Sequence, residues 1–157
     1  MLSHDDIAKR IPHQGRMCLL ERVVDWDAQR IRCEASSHRS ADNPLRAHGR
    51  LGIACGIEYA AQAMAMHGVL TAQAAGTSLA APLAGYLASV RTVRLHASRL
   101  DDLQADLTVD AERVMGDANG VVYDFQVQAG NRILLSGRAT VILDASIAAQ
   151  PQPREDP

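Results

Sequence analysis

Apolar and polar positions change period several times along the chain, and each change marks an element. Ser3-His4-Asp5-Asp6 has the serine-x-x-acid form of a capping box, so the pattern predicts a short helix over about residues 4 to 10, closed by Pro12. Met17 to Val24 is almost continuously apolar, and Ile31, Cys33 and Ala35 alternate with Arg32 and Glu34. Together they predict a hairpin that turns at Asp25 to Ala28. Ser36 to Gly52 follows neither period, and a loop of that length inside a small domain is more often functional than idle.

From Ile53 to Leu70 the residues are helix formers, apolar on nearly every face, with small side chains at Ala54, Gly56, Ala60, Ala61, Ala63 and Ala65. That composition predicts a buried central helix which a sheet or a second chain can approach closely. Thr71 to Ala84 reads as a connector of small residues. Four strands are predicted after it: Tyr86 to Ala97, Leu103 to Glu112, Val121 to Gln128 and Ile133 to Leu143, with turns at Gly116 to Gly120 and at Gly130-Asn131. The expected architecture is α+β, an antiparallel six-stranded sheet wrapped around one long helix, forming a single domain over residues 1–144. Residues 145–157 read as a polar, proline-containing, disordered tail. One helix cannot cover both faces of six strands, so a second subunit is expected against the helix and the last strands.

Composition narrows the possible functions. The 157 residues are 47% hydrophobic and 22% charged, with a formal net charge of -2, which fits a globular domain. Aromatic residues make up only 3% and basic residues form no block, so neither a base-stacking platform nor an electrostatic footprint for nucleic acid is present. No apolar run reaches the roughly 20 residues of a membrane span. The acidic start Met1-Leu-Ser-His-Asp-Asp does not read as a secretory signal, which gives a cytoplasmic expectation. Cys18, Cys33 and Cys55 have no paired spacing and read as reduced thiols.

No nucleotide-binding glycine motif, zinc-protease motif or nucleophile elbow occurs, and the histidines are too scattered for a metal site, so neither cofactor nor metal is expected. Glu58 is the acidic residue within the apolar helix, with Gln62 one turn on along the same face. Two readings fit it: a partly exposed helical glutamate, or a carboxyl in a low-dielectric pocket whose raised pKa lets it donate a proton. Cys55 has no neighbouring base and reads as an ordinary thiol, whereas His38 and His96 read as surface residues. His67, nine positions past Glu58, faces the other side of the helix.

The segment Ile11-Pro-His-Gln-Gly-Arg-Met-Cys-Leu-Leu-Glu-Arg-Val23 resembles the opening motif of the 3-hydroxyacyl-acyl-carrier-protein dehydratases. Asn43-Pro44 followed by Gly-Ile-Glu58-Tyr-Ala-Ala-Gln62-Ala resembles their loop and helix, and within the group it is most similar to the dehydratases of aryl polyene biosynthesis. The resemblance covers about residues 5 to 143. It implies the hotdog fold, a homodimer or a heterodimer with a second hotdog subunit, an acyl carrier protein bearing the acyl chain, and dehydration of 3-hydroxyacyl thioesters to trans-2-enoyl thioesters. It also implies Glu58 as acid towards the departing hydroxyl and a loop histidine as base towards the carbon-bound proton, the two working across the dimer interface, so that the histidine would face Glu58 of the partner or of the same chain. His48 takes the second role here, ten residues before Glu58 and closer to it than the family's loop histidine, without the family's proline-glycine step. A solvated loop histidine is the other reading of His48. His13 matches the family's Pro-His and is expected to pack or to line the substrate tunnel, a catalytic role being the lesser alternative, with Gln62 also towards substrate. The backbone amides of Gly52, Ile53 and Ala54, where the helix is expected to begin, would bind the thioester oxygen. A hotdog thioesterase, and a degenerate acyl-binding subunit of a paired dehydratase, remain the alternatives.

Overall fold

The computed structural model describes residues 1–77, 85–117 and 119–143. The expected tail, and the second half of the expected connector, lie outside them. Strand β1 (Leu2–Ser3) leads directly into helix α1 (His4–Ala8), which the predicted capping box closes: the Ser3 hydroxyl and backbone both meet Asp6. The chain then makes a 3-10 turn (Gly15–Met17) and enters the hairpin β2 (Arg22–Trp26) and β3 (Arg30–Ala35). The apolar run from Met17 to Leu20 is not strand: it is a buried strap, in which Leu19 and Leu20 are almost wholly covered. A short 3-10 turn (Ser37–Arg39) lies in the aperiodic stretch, and another (Ile53–Cys55) precedes helix α2 (Gly56–Ala74). Strands β4 (Gly85–Leu95), β5 (Leu107–Gly116), β6 (Gly120–Ala129) and β7 (Arg132–Leu143) follow.

All seven strands form one antiparallel sheet in the order β1-β2-β3-β5-β6-β7-β4. The additional strand relative to the sequence expectation is β1, whose two residues are too few to show a period. Alternation does hold on β3, β5 and β6: Ile31, Cys33, Val109, Ala111, Phe125 and Val127 turn inward and are buried. Helix α2 lies across this inner face, against β3, β5 and β6. At its start it comes so close to β7 that a Cβ on Gly56 would collide with the Leu135 side chain. Among the described residues, no helix is long and apolar enough to cross a membrane.

Two histidines read as lying away from any site are part of this core. His67 has no exposed surface and joins three elements: Tyr123 of β6 and the Asp27 carbonyl each lie 2.8 Å from one of its ring nitrogens. His38, expected on the surface, is likewise buried, with Nε2 3.1 Å from the Leu103 carbonyl. His96 is exposed, as expected.

Candidate active site around Glu58

Glu58 lies in the first turn of α2, where the partial positive charge of the helix amino end favours a carboxylate. His13 Nε2 is 3.0 Å from Glu58 Oε1, and the Gln62 amide donates to the same oxygen at 3.0 Å. The two side chains, 26% and 32% exposed, form a half-buried pair open to solvent on one side. Burial pushes the Glu58 carboxyl up, but the hydrogen bonds from His13 and Gln62 and the charge of His13 outweigh it. The group therefore lies below its ordinary value. Of the two readings open for this glutamate, the partly exposed one fits and the carboxyl of raised pKa does not, because Gln62 on the same helix face and His13, which the sequence did not bring here, together outweigh the burial.

Gln62, expected towards substrate, bonds within the protein instead. It is fully buried; its Oε1 accepts from the Leu19 N–H at 2.9 Å and its Nε2 donates to the Met17 carbonyl at 2.7 Å. These two bonds fix the amide orientation, so that the remaining N–H must point at Glu58. They also tie the 17–20 strap, which follows His13 in the chain, to the helix that carries Glu58. His13 Nδ1 is buried and has no hydrogen-bond partner.

Within one chain the structure brings His13, and not His48, to Glu58. His48 is exposed at φ 53 in the tight turn closed by Ala47 and Arg50, whose backbones exchange hydrogen bonds of 3.0 and 3.1 Å. Gly49 beside it is also in the left-handed region. The amide assignment changes as well. The 3-10 turn displaces the start of α2 to Gly56, and the Ile53 N–H is already donated to the Ser98 carbonyl at 3.1 Å. Gly52 is extended and bridges to Arg99, and Ala54 is exposed.

Next to Glu58 is a network that periodicity gave no sign of. Tyr59 is fully buried; its hydroxyl is 2.8 Å from Ser37 Oγ and accepts from Asn43 Nδ2 at 3.1 Å. Ser37 in turn donates to the Leu19 carbonyl, and Asn43 Oδ1 accepts from the Leu45 N–H. The Asn43-Pro44 motif is thus a clasp holding the 36–52 loop onto α2 and the strap. The motif was the one available signal, because a buried asparagine must find partners for its amide. Burial pushes the thiols of Cys18 and Cys55 up, and that of Cys33 up to about 12, which makes all three poor nucleophiles. Among the described residues no cluster of histidine, cysteine, aspartate and glutamate could hold a metal ion.

Residues 5–151 match the family described as ApeP-like, ApeP dehydratase. No curated protein matches the chain. Among solved structures, the chain is similar to the dehydratase heterocomplex ApeI:P from Xenorhabdus doucetiae, with 20% identity, 90% of this chain and 92% of that chain covered, and a TM-score of 0.79. It is also similar to a variant of thioesterase PA1618 from Pseudomonas aeruginosa, at 14% identity, 78% and 79% coverage and a TM-score of 0.55. A hypothetical thioesterase with coenzyme A from Streptococcus pneumoniae gives 14% identity, 78% and 86% coverage and a TM-score of 0.55. These likenesses establish the hotdog fold, a sheet curled around one long helix.

Proposed function

The chain belongs to the ApeP-like dehydratase family, and from this we propose that it removes water from 3-hydroxyacyl thioesters carried on an acyl carrier protein. The observation that carries the site reading is the ionised Glu58 held between His13 and Gln62. A carboxylate below its ordinary pKa is a weak base, so the proton it removes must be acidified by a neighbouring carbonyl; a thioester supplies that at C2. In the proposed reaction Glu58 takes the C2 proton, the C2–H electron pair becomes the C2=C3 double bond, and the C3–O bond breaks. Glu58 then returns the proton to the departing hydroxyl, which leaves as water. His13 and Gln62 hold the carboxylate in place and balance its charge through the cycle. The acid role given to Glu58 in the family pattern becomes the second half of this sequence.

Family membership and the likeness to the ApeI:P heterocomplex support a second hotdog subunit as partner. The aryl polyene type of acyl chain rests on the helix motif and the family description. The thioesterase alternative is favoured by the thioesterase structures, since the same carboxylate could activate water. Incubating the protein, alone and with a partner subunit, with 3-hydroxyacyl and enoyl thioesters on carrier protein decides between them. Enoyl product with the thioester retained is expected. Release of the carrier thiol would replace this reading with the thioesterase, and neither product would leave an acyl-binding subunit.

A further inference from the structure

We propose that Asn43, Tyr59 and Ser37 form a one-way hydrogen-bond relay that positions Glu58 through the Leu19 peptide and the Gln62 amide, so that the aperiodic 36–52 loop acts on the carboxylate without touching it. The inference rests on the reading of Glu58 as the reacting group and assigns positioning residues to it. Leu19 belongs to no helix or strand, so its buried backbone groups must find partners elsewhere. Gln62 Oε1 accepts its N–H at 2.9 Å, and the Ser37 hydroxyl donates to its carbonyl at 2.7 Å. Leu19 is therefore gripped from α2 on one side and from the loop on the other.

Proton counting gives the loop side a single direction. Ser37 has one hydroxyl proton, which goes to Leu19, so its oxygen accepts from the Tyr59 hydroxyl 2.8 Å away. The Tyr59 proton is then committed to Ser37, and the Tyr59 oxygen accepts from Asn43 Nδ2 at 3.1 Å. Asn43 cannot turn its amide over, because Oδ1 accepts the Leu45 N–H at 2.9 Å and Nδ2 also donates to the Ser37 carbonyl at 3.0 Å. Burial pushes the Tyr59 hydroxyl above its ordinary value, so the link keeps its proton. In buried surroundings successive bonds of this kind polarise and strengthen one another, and a missing link leaves its neighbours unpaired. Gln62 is the far end of the relay. While the Leu19 N–H occupies Oε1, Nε2 faces the Met17 carbonyl and Glu58 Oε1. Without the grip of Ser37, Leu19 is free to withdraw its N–H and the Gln62 amide to turn from the carboxylate. Glu58 then keeps His13, the titratable group that touches it, and loses one of the two donors that hold it ionised.

The test is nuclear magnetic resonance on the full chain and on Ser37→Ala, which removes one hydroxyl from a half-buried turn. Tyr59→Phe cuts the same relay one link earlier and decides the matter if Ser37→Ala does not fold; circular dichroism verifies each variant. Two signals are read: the solvent exchange of the Gln62 side-chain amide protons and the pH titration of the Glu58 carboxyl carbon. In the variants the amide protons are expected to exchange about tenfold faster, the equivalent of one hydrogen bond, and the Glu58 midpoint to move to higher pH. An unmoved Glu58 midpoint in a folded variant would overturn the proposal. A moved midpoint with the Gln62 protons as protected as in the wild type would overturn the route through Gln62. Neither signal depends on turnover, and dehydration of a carrier-bound 3-hydroxyacyl thioester is assayed on the wild-type sample with a partner subunit supplied. Dehydration with an unmoved midpoint removes this inference alone, and moved midpoints without dehydration remove the functional reading alone.

Discussion

Glu58 shows how neighbours more than burial set the state of a group. Its desolvation alone would raise its pKa; two donors on one oxygen reverse the sign. Replacing it by glutamine leaves a group that can neither take nor return a proton, and turnover is expected to fall on the order of 100- to 10,000-fold with folding intact, as checked by steady-state kinetics and circular dichroism. His13→Gln has a different signature. Without His13 the burial contribution is opposed only by Gln62, so the Glu58 pKa rises towards and beyond its ordinary value. The acid limb of the kcat/KM pH profile, where the carboxylate becomes protonated and inactive, is then expected to move to higher pH. A lower rate with an unmoved limb would show that His13 acts only by packing. The opening motif and the glutamate–glutamine spacing were legible in the sequence; that His13 meets Glu58 was not, because the contact spans 45 positions.

At the scale of the element, α2 is held by polar anchors within an apolar surface. His67 connects its second half to β6 and to the β2–β3 turn. Burial pushes the His67 imidazole below its ordinary 6.5, and Arg113 adds to this, while the Asp27 carbonyl and carboxylate oppose it. His38 is lowered too, first by burial. A histidine kept neutral in the fold protonates more readily in the unfolded chain, so its contribution is complete above about pH 6.5 and is lost as pH falls below that value. Tm is therefore expected to drop between about pH 7.5 and 5.5 in thermal melts. His67→Leu should cost about 1–3 kcal/mol at the higher pH, since it orphans the Tyr123 hydroxyl and the Asp27 carbonyl. It should also leave a shallower pH slope, the remainder coming from His38. The nine-residue spacing placed His67 away from Glu58, but only the packing of β6 against α2 showed what it bonds.

At the scale of the molecule, sequence order and sheet order diverge. β4 is made fourth but lies at the end of the sheet, and its only strand partner among the described residues is β7, the last to be made. β7 is flanked by β6 and β4, and supplies Leu134, Leu135 and Ala139 to the core. A chain ending at Asn131 is expected to lose cooperative folding altogether, because β4 would then have no partner and the inner face no closing wall; circular dichroism and a denaturant melt check this.

By itself the sequence determined most of the element types, the single long helix, the antiparallel class and the glutamate on that helix, because all of these follow from local periodicity and from motifs a few residues long. Tertiary structure alone decided the rest. Which histidine meets Glu58, where the first turn of α2 begins, and the burial of His38 depend on contacts between residues distant in the chain. So does the register of β4 on β7, which shifts between Arg91 and Arg94, since a bulge changes the face of every residue beyond it and leaves no trace in an alternating pattern.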